Sequence, residues 1–254
     1  MYSIGCLQIP LIDVIASSAC NVMMVRMSEK MRDGQPQAVL DIWTDTTRKL
    51  ALIFFPVLGL LFVASRDLIT FLFTNAYAAS IPVFRIWLLV PLFEMFQPHG
   101  VLRVYGETRF LAAQNLLKLL LVLCLINRLM ASFHLTGAVL VSVLSALLGK
   151  GLSLTRMKRA GKIDLRRLLP WQSLAATAAA TAAACLLAFS FRSRLDLRPL
   201  PALIWTGLTF TISFAALAWN FRLLTNAEKK RVVELAQRWG AWFTRGRAQR
   251  VEVP

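Results

Sequence analysis

The sequence is poor in charged residues, and acidic residues are the scarcest of them. Only 17% of its 254 residues are charged and 57% are hydrophobic, whereas an ordinary soluble domain has about 25% charged residues. The mean hydropathy is +0.60. A chain with so few polar groups cannot cover a globular surface with them. These values therefore exclude an ordinary soluble domain and indicate a membrane protein.

The residues that usually build metal and disulfide sites are also few. The four cysteines form no CxxC pair, and all lie in or beside apolar runs, where a thiol behaves as a small hydrophobic group. His99 and His134 stand alone, without the spacing of metal ligands. The motifs of serine hydrolases, zinc proteases and P-loop proteins do not occur, nor does a paired-aspartate transferase motif. We therefore expect no metal, no cofactor and no enzymatic activity.

Positive charge, in contrast, is in excess, with a formal net charge of +16. Nucleic-acid binding would call for a basic polar domain or a recognisable motif. The chain has neither, because its basic residues alternate with long apolar runs. We therefore expect no nucleic-acid partner and attribute the charge to membrane topology.

Seven apolar runs approach the length of about 20 residues that a helix needs to cross a bilayer. They are Ile4–Val25, Leu50–Ser65, Ser80–Leu102, Phe110–Asn127, Leu129–Gly149, Leu168–Phe191 and Pro199–Phe221. The sequence thus predicts an all-α, polytopic membrane bundle over residues 1–221, followed by a basic cytoplasmic tail over residues 222–254. The run SLAATAAATAAACLLAFSF is rich in small residues, so we expect it to pack closely among other helices.

Lysine and arginine are divided unequally between the segments that join these runs. One set of segments, which includes Lys150 and the tail, holds 22 of them; the other set holds 6, and Lys118 lies within a span. The positive-inside rule then predicts an external N-terminus and a cytoplasmic C-terminus. No basic segment precedes the first span to explain its external start. We therefore expect the chain to be the C-terminal part of a larger transporter.

Two cytoplasmic segments have patterns of their own. Gly34 and Pro36 should end the first helix, and residues 37–49 should restart as an amphipathic lead-in to the second span. Thr225 or Asn226 can cap a helix in the tail. The apolar positions of that helix are Val232, Leu235, Trp239 and Trp242. Such a helix would lie in the headgroup layer, or it would be an ordinary solvated amphipathic tail.

Four short motifs, taken in order, carry a resemblance to a known family. They are ITFLFTNAYAA after a proline-containing span, the turn VYGETRF, Gly137–Ala138 at the start of a helix, and MYSIGCLQIPLI before an earlier helix. Together they resemble the polysaccharide-flippase branch of the multidrug/oligosaccharidyl-lipid/polysaccharide exporter superfamily, over about residues 1–160. Thr74 or Asn75 stands where that family usually has a glycine.

The resemblance implies a function and a set of partners. Members have twelve to fourteen helices in two homologous bundles, so seven spans would form the second half of a fourteen-helix member. Such a protein would flip lipid-linked oligosaccharide for polysaccharide biosynthesis in the bacterial inner membrane, by alternating access. Its partners would be membrane lipid, a polyprenyl-pyrophosphate-linked oligosaccharide and the missing N-terminal half. The alternatives are a multidrug or cation-coupled exporter of the same superfamily, and a truncated, inactive half-transporter.

Charged groups within the spans are the candidate site residues, since each costs about 2.5–3.5 kcal/mol at the centre of a bilayer. Arg85 either extends to the outer headgroups or lines a cavity that receives an anionic substrate. Lys118 is too deep for easy contact with water. It either pairs with Asp13 or Glu94, or serves as a cavity cation with Asn115 and Gln114 beside it as polar lining.

Three further charged groups complete the candidate set. Arg103, at a cytoplasmic end, could touch an entering pyrophosphate, although solvation in a loop is the simpler interpretation. Asp13 and Glu94 lie near the middles of the first and third spans. Besides forming ion pairs, these two carboxylates could bind a coupling ion, Na⁺ or H⁺.

Overall fold

A computed structural model describes residues 5–7, 9–161, 169–193, 199–221, 223, 225 and 228–230. Throughout these residues the regular structure is helical, with no strand. Seven segments are long and apolar enough to cross a membrane, judged by length and composition. A helix satisfies its backbone hydrogen bonds internally, which an apolar bilayer requires. The predicted all-α class is confirmed, and seven helices long and apolar enough to span a membrane are present, as the sequence predicts.

Each predicted span overlaps one of these segments, although the third is broken into short helices. In chain order the helices are α1 (Pro10–Arg32), α2 (Pro36–Phe73), a 3₁₀ turn (Asn75–Ser80), α3 (Ile81–Trp87), α4 (Leu89–Phe93), α5 (Pro98–Val104), α6 (Thr108–His134), α7 (Thr136–Gly161), α8 (Trp171–Arg192) and α9 (Pro199–Asn220). Between α6 and α7 the chain reverses at His134, which has a positive φ of 50°.

The first two helices are divided where the sequence predicts. After α1, Gly34 takes a positive φ of 73°, and the N–H of Gln35 donates to the carbonyl oxygen of Lys30 at 2.9 Å. This arrangement closes the C-terminus of the helix. The predicted lead-in and second span then form one helix of 38 residues, about 57 Å long. Because a bilayer core is about 30 Å thick, the amphipathic N-terminal part of α2 extends beyond it.

Two sequence-based placements are wrong because helices begin or end later than their apolar runs. Helix α1 starts at Pro10, so Asp13 lies in the first turn of the helix and not near mid-span. There the positive end of the helix dipole favours a carboxylate. Helix α7 continues to Gly161, so Lys150 lies within this helix and not in a segment that joins two helices. Without Lys150 the asymmetry is still 21 to 6.

Buried and exposed apolar side chains show how the bundle is arranged. The largest core joins α1, α2 and the broken third segment, and Met27, Trp43, Phe54, Phe84 and Leu102 are each no more than 1% exposed. In contrast, the most apolar stretch of α6 has no buried residue. Its exposed leucines are Leu116, Leu117, Leu119, Leu120 and Leu123. Extended apolar surfaces of this kind fit contact with lipid or with another helical protein.

Helix α8 packs through its small residues, as the sequence predicts. Ala180, Ala184 and Ala188 are no more than 1% exposed, whereas Leu186 and Phe189 on the other face are more than 60% exposed. Residues four apart fall on one side of a helix, so the alanines form a flat face that allows the backbones of α2 and α9 to approach.

The backbone is strained at Thr74, the residue that follows α2. Thr74 has a φ of 70° and a ψ of 169°, a conformation that glycine adopts far more readily than a β-branched residue. Thr74 is also one of the two positions at which the flippase-like motif usually has glycine. The threonine therefore occupies a backbone position suited to glycine.

An ion pair at each end of the bundle ties distant parts of the chain together. At one end, Arg192 of α8 binds Asp67 of α2 through two hydrogen bonds of 2.9 Å. At the other, Arg48 of α2 binds Glu228 at the start of the tail and donates to the carbonyl oxygen of Leu223 at 3.3 Å. These contacts place residues 67 and 192 at one end of the molecule and residues 48 and 228 at the opposite end.

Thr225 and Glu228 are in contact at the start of the tail. The N–H of Thr225 donates to Glu228 Oε2 at 2.8 Å, as in a capping box. Burial alone would raise the pKa of the Glu228 carboxyl, but hydrogen bonds from Thr225 and Arg48 outweigh it and lower the pKa to about 2. The predicted apolar positions of the tail, Val232, Leu235, Trp239 and Trp242, lie outside the described residues.

Candidate functional site

The third potential membrane segment, Ala76–Val104, is interrupted between Phe93 and Pro98. Helix α4 ends at Phe93 and α5 begins at Pro98, so the intervening residues leave the helical hydrogen-bonding pattern. The side chain of Gln97, 8% exposed, donates to the carbonyl oxygen of Glu94 at 2.7 Å and satisfies one of the freed backbone groups. Non-helical backbone at membrane depth is tolerated only where protein buries it or where it lines a cavity. The break therefore marks a place where polar groups can gather.

Lys150 of α7 reaches into this break. Its Nζ donates to the carbonyl oxygen of Phe96 at 2.8 Å and lies 3.2 Å from Glu94 Oε2. The side chain of Lys150 is 7% exposed, whereas that of Glu94 is 38% exposed. The ammonium is therefore held by one carboxylate and one backbone carbonyl, and the carboxylate retains an exposed edge.

Lys118 of α6 approaches the same region from the neighbouring helix. A Cβ added to Gly149 would lie 2.0 Å from Lys118 Cε, so the lysine side chain crosses α7 where glycine leaves room. One turn earlier, Gln114 donates to the carbonyl oxygen of Gly149 at 2.7 Å and accepts from Ser153 Oγ at 2.8 Å. These buried hydrogen bonds fix α6 against α7 beside the lysine.

The two lysines lie at the same depth in the bundle. Lys118 follows the start of α6 by ten residues, and Lys150 precedes the end of α7 by eleven, which is roughly 15 and 17 Å along antiparallel helices. Lys118 forms no ion pair with any residue that the structure describes. We call Glu94, Gln97, Lys118 and Lys150 the lysine cluster. It carries two positive charges and one negative charge, so its charge complements an anionic ligand.

Arg85 lies apart from this cluster, in a groove among α2, α3, α4 and α8. Its Nε donates to Ser65 Oγ at 2.8 Å, and its guanidinium stacks 5.1 Å from the centre of the Phe62 ring. The groove has a volume of about 370 Å³ and is otherwise apolar except for Thr181. The hydroxyl of Thr181 is buried and makes no hydrogen bond to any described residue. Arg85 is therefore packed against α2 beside an apolar groove.

The other predicted site residues do not join either place. Asn115 is exposed on α6, next to the buried Gln114; Arg103 is exposed at the end of α5; Asp13 is exposed near the start of α1. Their side chains form no hydrogen bond or ion pair with the described residues. Of the two carboxylates predicted to pair or to bind an ion, only Glu94 is in an ion pair, and its partner is Lys150 rather than Lys118.

Sequence reasoning missed Lys150 because the uncharged run stops at Gly149. A signal was nevertheless present. Leu152 and Leu154 continue the apolar pattern beyond the lysine, which allows the helix to extend and places Lys150 well inside it. Gln97 could have been suspected from Pro98, because the residue before a proline leaves the helical conformation.

The fold indicates the class of protein to which the chain belongs, but not a particular protein. The chain is a helical protein with seven potential membrane-spanning segments, which is compatible with a multi-pass membrane protein. No protein-family model, curated protein or solved structure matches the chain.

Proposed function

We propose that the chain forms the C-terminal half of a transporter that flips lipid-linked oligosaccharide across the bacterial inner membrane for polysaccharide biosynthesis. The observation that supports this most is the lysine cluster, in which Lys118 lies beside Gly149 and Lys150 enters the break in the third segment. Discontinuous helices are common at the substrate sites of transporters. A pyrophosphate is the anionic part of a polyprenyl-linked sugar, and two ammonium groups complement its charge.

In this proposal each part of the substrate has its own contact. Lys118, which has no carboxylate partner among the described residues, binds the pyrophosphate first. Lys150 contributes once its contact with Glu94 loosens. The apolar groove beside Arg85 accepts part of the polyprenyl chain, while the rest of the chain stays in the bilayer. The second bundle supplies the facing wall, and rocking of the two bundles exposes the site to each side in turn. No covalent bond is made or broken, so no catalytic residue is needed.

Glu94 is the better placed of the two carboxylates for coupling to an ion. In the proposal, a proton on Glu94 removes the charge that holds Lys150, and the freed ammonium turns to the substrate. Proton uptake would then accompany substrate binding. Asp13 has no cation within reach among the described residues, and we assign it no part in the site.

The test is flipping of a fluorescent polyprenyl-pyrophosphate-linked oligosaccharide in proteoliposomes that contain the whole transporter. Lys118→Met should lower the rate by about 10- to 100-fold, the equivalent of one hydrogen bond to a charged group. Arg109→Gln, at an exposed cation on the same helix, is the matched control and should change little. An unchanged rate for Lys118→Met would contradict the proposal. Export of cationic dyes instead of the glycolipid would favour the multidrug alternative.

A further inference from the structure

A second groove lies between α1 and α2, away from the lysine cluster. Its volume is about 410 Å³; Ala19, Val22 and Ile53 form part of its apolar wall, and Arg26 and Lys49 line it as well. Val22 and Ile53 are 56% and 42% exposed, so the groove opens on the outer surface of the bundle. A membrane would place lipid against that surface.

The cations stand at one end of the apolar parts of both helices. In α1, Arg26 is the first charged residue after Asp13 in the first turn; in α2, Lys49 is the last charged residue before the apolar run that starts at Leu50. In a bilayer, this order of residues would place both cations where the hydrocarbon core meets the headgroup layer, on the side to which residues 33–35 belong. A ligand in the groove would be apolar along one part and anionic at this end.

The local charge favours an anion. Lys49 Nζ lies 2.5 Å from Oδ2 of Asp45, which also lines the groove, so that pair is neutral overall. Arg26 is exposed and forms no ion pair or hydrogen bond with the described residues. The groove thus carries one uncompensated positive charge, held beside apolar walls.

We propose that this groove binds a glycerophospholipid with an anionic headgroup. An acyl chain lies along Ala19, Val22 and Ile53, and the phosphate sits between Arg26 and Lys49. Basic pockets between membrane helices bind anionic lipids in this manner. The lipid would join α1 to α2 on the bilayer side. The proposal does not depend on transport and would hold whatever the chain moves.

Native mass spectrometry of the detergent-purified chain, offered phosphatidylglycerol and phosphatidylcholine in equal amounts, tests this proposal. We expect the chain to retain phosphatidylglycerol preferentially. Retention should fall about fivefold for each cation removed in Arg26→Gln and Lys49→Gln. Arg32→Gln, which removes an exposed cation outside the groove, should leave retention unchanged.

Two further variants distinguish a lipid site from misfolding and from a site for free phosphate. The charge-conserving pair Arg26→Lys and Lys49→Arg should keep the preference, which separates loss of charge from loss of folding. Ala19→Trp should fill the apolar part and reduce retention of both lipids. Three results would each overturn the proposal. They are equal retention of the two lipids, a loss of lipid retention in Arg32→Gln as large as in Arg26→Gln, and displacement of bound lipid by millimolar inorganic phosphate.

Discussion

Removal of Glu94 should lower the unfolding free energy more than removal of Lys150, its partner in the ion pair. At 3.2 Å, the Coulomb attraction is about 5 kcal/mol for an effective dielectric constant of about 20, and desolvation offsets much of it. Breaking a fully buried pair costs about 3–5 kcal/mol. The 38% exposure of Glu94 lowers that figure. We therefore expect Glu94→Gln to cost about 2–3 kcal/mol of unfolding free energy, because it leaves a buried ammonium without a counter-charge.

Removal of the lysine should be less costly. Lys150→Met leaves a carboxylate that can reach water or accept a proton, so we expect a loss of about 1–2 kcal/mol. The double variant should then lose at least 1 kcal/mol less than the sum of the single losses. These free energies can be measured by titrating the micelle-embedded chain with sodium dodecyl sulfate.

A matched control is the exposed pair of Asp45 and Lys49, whose side chains are 50% and 53% exposed. Removal of these two residues should show a coupling of no more than about 0.5 kcal/mol. Additive losses at Glu94 and Lys150, or a larger loss for Lys150→Met than for Glu94→Gln, would show that the buried ammonium does not depend on its carboxylate partner.

Three other variants test separate features. Gly149→Leu should displace the Lys118 side chain and lower the unfolding free energy by about 1–3 kcal/mol. Gly151→Leu should have little effect, because no atom lies within 4 Å of a Cβ added there. Equal losses for the two variants would contradict the close approach of Lys118 to Gly149. Thr74→Gly should raise the melting temperature by relieving the positive φ, with a gain of about 1 kcal/mol; a loss would show that no strain is stored there. The pKa of Glu228 is about 2 in the folded chain and about 4.5 without its contacts. The ionised carboxylate therefore stabilises the docked tail fully above pH 4.5, and this stabilisation is lost as the pH falls toward 2. Glu228→Gln should abolish the increase in proteolysis of the tail over this pH range, and an unchanged pH profile would refute the argument.

The seven spans could be predicted because apolar length is a local property of the sequence. The division between α1 and α2 was equally readable, since Gly34 and Pro36 end and start helices for reasons confined to a few residues. The alanine face of α8 followed from the same local logic. The three-way break of the third segment was not predicted, because the side chains that satisfy its freed carbonyl groups, Gln97 in the break and Lys150 on α7, come together only in the fold.

The composition of the candidate site depended on contacts that no local pattern reveals. Lys118 and Glu94 could be singled out as costly charges in apolar runs. The partner of Glu94 could not, because Lys150 belongs to another helix and meets Glu94 only when α7 packs against the break. Asn115 and Gln114 were both singled out for their closeness to Lys118 in sequence, but only Gln114 is the buried amide beside Lys118 in the fold.

The proposed topology, in which the chain crosses a membrane seven times with its basic segments on the cytoplasmic side, can be decided by labelling introduced cysteines. Ala78→Cys and Thr225→Cys, both at exposed positions at opposite ends of the bundle, would each be placed in a variant without the four natural cysteines. In intact cells an impermeant maleimide should label position 78 but not position 225, and permeabilisation should make position 225 reactive. Labelling of position 225 in intact cells, or recovery of the chain as a soluble monomer without detergent, would contradict this topology.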